Sequence, residues 1–108
     1  MDNGEFGDSL VKMLAWRRKQ LPELGTPQGV ELMRRLLKHA GRPQPIGTIY
    51  SASKLSTPTM RVAVKAFVKH GFACIQFHSI DGRSRLIMAT PKLTAFAKEY
   101  LRRIIELR

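Results

Sequence analysis

The chain has 108 residues, a formal net charge of +11 and a 44% share of hydrophobic residues. That size and composition suit one globular domain and exclude a disordered or disulfide-scaffolded chain. No apolar run reaches the ~18–20 residues of a membrane span, and the lone Cys74 excludes an internal disulfide and a cysteine-built metal cluster.

The charge is unevenly placed. Residues 1–25 carry Lys12, Arg17, Arg18 and Lys19 against Asp2, Glu5, Asp8 and Glu23, and are neutral overall. The entire excess falls in residues 26–108, which favours a polyanionic partner. The acidic residues near the start argue against a leader or transit peptide, so a cytoplasmic setting is expected.

The first unit, roughly 5–20, has Phe6, Leu10, Met13 and Leu14 at helical spacing, with basic residues at its C-terminal end. Trp16 lies off that stripe and predicts a second buried surface. Thr26-Pro27 then opens a helix by cap and first-turn proline. Its stripe is Val30, Met33, Leu37 and Ala40, widened by Leu36, and Gly41 ends it. Arg34, Arg35 and Lys38 fall outside the stripe and read as a solvated face.

A short helix at about 45–53 offers only Ile46, Ile49 and Tyr50 as apolar contacts, so it needs neighbours. Thr57-Pro58 reads as the cap and start of the next helix. Met60, Ala63, Val64 and Phe67 form its buried face, and Gly71 closes it. Thr59, Arg61, Val62, Lys65 and Lys69 occupy the opposite face.

The period then changes. Residues 72–78 and Arg85–Ala89 read as two strands around Asp81-Gly82, a hairpin turn signal. Thr90-Pro91 caps a last helix to about residue 107, with Leu93, Phe96, Ala97, Tyr100, Ile104 and Leu107 in one stripe. Leu101 and Ile105 widen it beyond what one core requires, which predicts a partner subunit.

The order is helix, helix, short helix, helix, two-stranded hairpin, helix. That is a mainly α (α+β) fold, a winged helix-turn-helix of about five helices and a β-hairpin wing. One compact domain is expected, with an N-terminal dimerisation helix in 1–25, a DNA-binding region in 26–90 and a C-terminal dimerisation helix in 91–108.

Over about 30–107 the sequence resembles the MarR family of winged helix-turn-helix transcription regulators. Ile46, Ile49 and Leu55 fall where that family has apolar residues in its first HTH helix and turn. Ser56-Thr57-Pro58-Thr59-Met60 is similar to the family's Ser-Pro-Ser-Thr-Val. Gly71-Phe72 is similar to its Gly-Leu before the wing. Asp81, Arg83 and Thr90 match the wing pattern in the same register. Ala89, Leu93 and Ser53 depart from the family pattern, and one C-terminal helix is visible where many members have two.

The resemblance implies a bacterial, homodimeric, double-stranded-DNA-binding regulator, more often a repressor, acting on a pseudo-palindromic site. It implies that Asp81 braces the wing while an arginine, Arg83 ahead of Arg85, enters the minor groove, where a narrow groove concentrates negative potential. The resemblance also implies that helix 57–70 lies in the major groove and the wing, 79–85, in the minor groove; on that recognition helix, Thr57 and Thr59 suit phosphates or bases, and Arg61 a guanine edge. Val62 suits a thymine methyl; Lys65 and Lys69 suit phosphates. Lys54 and Arg42 are further phosphate candidates. Phe6, Leu10, Met13, Phe96, Tyr100 and Ile104 are candidates for the dimer interface.

Other chemistry has little support. Cys74 reads as a small core residue. His39, His70 and His78 are dispersed, so no metal is expected. No nucleophile motif, phosphate loop or carboxylate pair is present, so neither enzyme nor cofactor is expected. No residue set points to a small-molecule effector. Two rivals stand beside the main reading: a sequence-independent replication or nucleoid accessory protein, and a winged-helix protein-interaction module.

Overall fold

The computed structural model describes residues 3–20, 25–39, 41–77 and 85–106. Its elements run α1 (Asn3–Gln20), α2 (Pro27–Lys38), β1 (Gln44–Pro45), α3 (Ile46–Ala52), α4 (Thr57–Lys69), β2 (Ala73–Phe77), β3 (Arg85–Ala89) and α5 (Pro91–Glu106). The five helices and the hairpin strands follow the expected order.

The sheet holds one strand more than expected. β1 pairs antiparallel with β3 through Gln44↔Ile87 and Pro45↔Leu86, and the strand order is β1-β3-β2. Two residues before a helix carry no alternation to detect, so this strand exists only through its partner. The hairpin pairs Ala73↔Ala89 through Phe77↔Arg85, with Ile75 opposite Ile87.

α2 begins as its sequence dictates. Thr26 Oγ1 accepts from the Gly29 amide at 3.2 Å, and Pro27 occupies the first turn. Its buried face, however, is Gly29, Leu32 and Leu36, flanked by half-buried Met33 and Leu37. Val30 is 46% exposed, and Ala40 lies outside the described residues. Two apolar stripes fit this sequence almost equally, and packing against α4 selects the one through Leu32.

The α4 cap also differs by one residue. Ser56, rather than Thr57, is the N-cap: its Oγ accepts from the Thr59 amide at 3.4 Å. Thr57 is already helical. The expected apolar face is the observed one, with Met60, Ala63, Val64 and Phe67 all buried.

α4 ends in a Schellman arrangement. The Phe72 amide donates to the Phe67 carbonyl at 2.8 Å and the Gly71 amide to Val68 at 3.1 Å. Gly71 takes φ +78°, where a side chain is strained. α5 fastens onto the same corner. Thr90 Oγ1 donates to the Gly71 carbonyl at 2.6 Å, and Lys92 Nζ donates to the His70 carbonyl at 2.8 Å.

The core lies between α2, α3, α4, the sheet and α5, around fully buried Leu32, Met60, Phe67, Phe72, Ile87 and Leu93. An aromatic run leads out of it. Phe72 meets Phe96 edge-on at 5.8 Å, and Phe96 stacks on Trp16 at 5.1 Å and on Tyr100 at 6.0 Å. Trp16 thus uses the second surface its sequence position predicts. Arg17 Nη1 donates to the Tyr100 hydroxyl at 3.1 Å, which ties α1 to α5 again.

Of the expected interface residues, Phe96 and Met13 are buried within the single chain. Leu10, Tyr100 and Ile104 are half-buried, and Phe6 is exposed. The large apolar side chains most open on the terminal helices are Phe6, Val11, Leu101 and Ile105. The molecule measures 58 × 25 × 21 Å, and its radius of gyration of 15.7 Å exceeds the ~13 Å typical of this length.

Arg35 links α2 to α3, its Nη2 donating to the Ala52 carbonyl at 2.7 Å. Within α2, Glu31 pairs with Arg35 Nε at 2.8 Å and Arg34 Nη2 at 3.2 Å. The hydrogen bond from Arg35 is the main cause holding the Glu31 carboxyl below its ordinary range, with Arg34 adding to it. Stability from this pairing is present above the ordinary glutamate pKa and is lost as pH falls through the lowered folded value. Glu31→Gln should therefore cost about 0.5 kcal/mol at pH 7, with the difference from the parent shrinking in urea melts below pH 4. Gly71→Ala should cost about 1–2 kcal/mol in the same melts, because its new Cβ meets nothing nearer than Lys92 Cδ at 3.9 Å and backbone strain alone remains.

Candidate nucleic-acid interface

Two opposite stripes run along α4. One is the buried Met60–Phe67 face. The other, fully exposed, carries Pro58, Arg61, Val62, Lys65 and Lys69. Burying the first stripe forces the second outward, because residues three and four apart share a face. Val62 is 55% exposed, an apolar side chain set among cations. Thr57 and Thr59 are half-exposed, and the Thr59 hydroxyl lies 2.8 Å from Ser56 Oγ within the cap.

The tight link from α3 into α4 is built from Ser53 to Ser56. Ser53 Oγ accepts from the Leu55 amide at 3.1 Å, and Leu55 packs against the core. Lys54 is exposed in this link. Arg42 is exposed before β1, its amide donating to the His39 carbonyl at 2.8 Å.

The structure brings Arg61 and Lys65 of α4 together with Arg85, the first residue of β3. All three line a cleft of about 300 Å³ with Tyr50 of α3, over apolar side chains that include Ile46 and Val68. The Arg61 guanidinium carbon lies 5.9 Å from the centroid of the Tyr50 ring. On the other flank of α4, Val62, Ala66, Lys69 and His70 border a second hollow together with Lys65.

Acidic residues are placed so that this face stays positive. Glu31 pairs with Arg34 and Arg35 of its own helix and offsets part of their charge. On α5, Glu99 pairs with Arg102 and Arg103, and Glu106 pairs with Arg102. The Arg102 hydrogen bond is the main cause holding the Glu99 carboxyl below its ordinary range. α3 and α4 contain no acidic residue. Among the described residues, Arg42, Lys54, Arg61, Lys65, Lys69 and Arg85 enter no ion pair. Arg34 and Arg35, read in the sequence as a solvated face, both pair with Glu31; Arg34 stays exposed and Arg35 is half-buried.

Asp81 and Arg83, the expected brace and tip of the wing, lie outside the described residues. Arg85 lies within them, at the base of the hairpin opposite Phe77, which is 68% exposed. Tyr50 was legible only as an apolar contact of a short helix. Its meeting with Arg61 depends on the angle between α3 and α4, for which the sequence holds no local signal.

Cys74 is half-buried opposite Met88 in the hairpin. Among the described residues, no three His, Cys, Asp or Glu side chains gather as metal ligands, and no helix is long and apolar enough to cross a membrane.

The sequence matches no protein-family model and no curated protein. The fold has clear counterparts among solved structures. A probable transcriptional regulator from Pseudomonas aeruginosa superposes with a TM-score of 0.62 at 20% identity, covering 93% of this chain and 74% of that one. A SlyA-like transcription regulator from Listeria monocytogenes gives 0.61 at 16% identity, covering 91% of this chain and 61% of that one. A MarR transcriptional regulator from Methanosarcina mazei gives 0.57 at 17% identity over 99% of this chain and 73% of that one. The chain thus has the winged-helix fold seen in MarR- and SlyA-type regulators.

Proposed function

We propose that the protein is a transcription regulator that binds double-stranded DNA as a homodimer, with α4 as its recognition helix. One observation carries this reading. The outward stripe of α4 holds three cations and no acid, while the acids of α2 and α5 pair with arginines on their own helices. The winged fold, shared with structures described as transcription regulators, supports the same reading.

In this arrangement the N-terminal part of helix 57–70 enters the major groove, which is about 12 Å wide and admits one helix. Arg61 contacts a guanine edge and Val62 a thymine methyl. Thr57 and Thr59 bond phosphates or bases. Lys54, Lys65, Lys69 and Arg42 meet phosphates, which position the protein without reading sequence. The wing, residues 79–85, lies along the minor groove with Arg83 or Arg85 inserted and Asp81 bracing the hairpin.

Segments 1–25 and 91–108 flank the DNA-binding region 26–90 and supply the subunit contact. Exposed Phe6, Val11, Leu101 and Ile105 on α1 and α5 support that role, since exposed apolar clusters mark association surfaces. A two-fold pair of winged helices spaces its recognition helices about one DNA turn apart, so the site is a pseudo-palindrome. Occlusion of a promoter by such a dimer is repression.

Selection of bound duplexes at a stated salt concentration should return a two-fold consensus. A pool without consensus would instead mark a sequence-independent binder. Arg61→Ala should relax specificity at one position at a cost of about 1–3 kcal/mol, whereas Lys65→Ala should weaken all sequences alike and lower the salt slope by about 1. If Arg61→Ala leaves affinity for the selected duplex unchanged, α4 is not the reading helix. Leu101→Glu combined with Ile105→Glu should convert a dimer to a monomer in sedimentation with an unaltered circular dichroism spectrum, because both side chains are exposed in the single chain.

A further inference from the structure

Arg61 is the only cation of α4 that meets an aromatic ring among the described residues. Its guanidinium carbon lies 5.9 Å from the Tyr50 centroid, within the range over which a ring quadrupole attracts a cation. The ring sits on a fixed base. Tyr50 is half-buried against the core, Ile46 and Ile49 of the same helix are buried, and Arg35 ties the last carbonyl of α3 at Ala52 to α2.

The other neighbours of Arg61 push in the same direction. Lys65 and Arg85 line the same cleft and repel the guanidinium. Neither α3 nor α4 supplies an acidic residue to attract it elsewhere. The π face of Tyr50 is therefore the attractive surface that the cleft offers this cation. A long arginine free on a helix surface samples many rotamers and must surrender them on binding. An arginine already held on one side of its helix surrenders fewer, and preorganisation of this kind raises affinity without a new contact.

We propose that Tyr50 is a positioning residue for sequence readout: its ring orders the Arg61 side chain on the α3 flank of α4, so that the guanidinium enters the groove in one direction. Tyr50 itself contacts no base in this scheme. The proposal rests on Arg61 being the base-reading residue of the function proposed above. It adds a specificity-determining group from outside the recognition helix.

The test is a double-mutant cycle on the full-length protein, using Tyr50→Leu, Tyr50→Phe, Arg61→Ala and the Tyr50→Leu/Arg61→Ala pair. Affinity is measured for the selected duplex and for a scrambled duplex of equal length and salt. Tyr50→Leu should weaken binding to the selected duplex about two- to fivefold, the range expected of an exposed cation–π contact. The scrambled duplex should be unaffected. Tyr50→Phe keeps the ring and should restore parental binding. In the Arg61→Ala background, Tyr50→Leu should cost nothing further.

A loss of equal size on both duplexes, or an undiminished loss in the Arg61→Ala background, would mean that Tyr50 acts only through α3 packing and would overturn the proposal. Weakening by Tyr50→Phe would assign the effect to the hydroxyl and overturn it as well. If Arg61→Ala alone leaves the selected duplex unaffected, the groove assignment of Arg61 fails and this inference fails with it. That outcome is distinct from a normal Arg61→Ala loss without coupling, which removes Tyr50 alone. Thermal melts of each variant separate a folding defect from a binding one.

Discussion

The corner at His70, Gly71 and Phe72 holds the other elements in register. Its left-handed glycine ends α4 and turns the chain into β2 within two residues. The carbonyls of His70 and Gly71 would otherwise be left open at a helix end. Lys92 of α5 and Thr90 just before it take them up, and the Thr90 amide donates to the Phe72 carbonyl at 3.1 Å. Phe72 itself is fully buried between Phe67 and Phe96. One tight turn thus fixes α4, the hairpin strands and α5 relative to one another. The proposed DNA-binding role would need that rigidity, because groove contacts on helix and hairpin would have to be made together.

The electrostatic arrangement is a consequence of where acids are not. A charge of +11 spread over the whole surface would bind any polyanion loosely. Here the glutamates of α2 and α5 face arginines on their own helices at three- and four-residue spacing, which cancels much of the field away from α4. Arg61, Lys65 and Lys69 of α4, Lys54 in the link before it and Arg85 at the base of the hairpin have no such acidic partner among the described residues. Individually such exposed pairs contribute little to stability. Collectively they decide which face of the molecule presents net positive charge.

The aromatic run from Phe72 through Phe96 to Trp16 and Tyr100 shows how the terminal helices join the body. Arg103 lies over the Trp16 ring at 4.4 Å and Arg17 over Tyr100 at 5.9 Å, so the seam between α1 and α5 is closed by stacked rings with cations over them. Trp16 and Phe96 make the intramolecular contact, while Phe6, Val11, Leu101 and Ile105 lie exposed on the same two helices.

Much of this was determined by local sequence. The Met60–Phe67 stripe, the positive-φ glycine after α4 and the bounds of β3 follow from residue spacing and turn chemistry, because each involves neighbours only a few positions apart. The outward direction of Arg61, Val62, Lys65 and Lys69 follows from the same stripe. Four things were decided only by tertiary packing. The buried side of α2 runs through Leu32 because α4 lies there. Gln44 and Pro45 become a strand because β3 offers a free edge. Phe96 is buried because Phe72, Trp16 and Tyr100 pack around it. The Tyr50–Arg61 contact is the fourth. Periodicity tells which face of an element is apolar; which neighbour that face meets depends on the angles between elements, and those are set by the whole core at once.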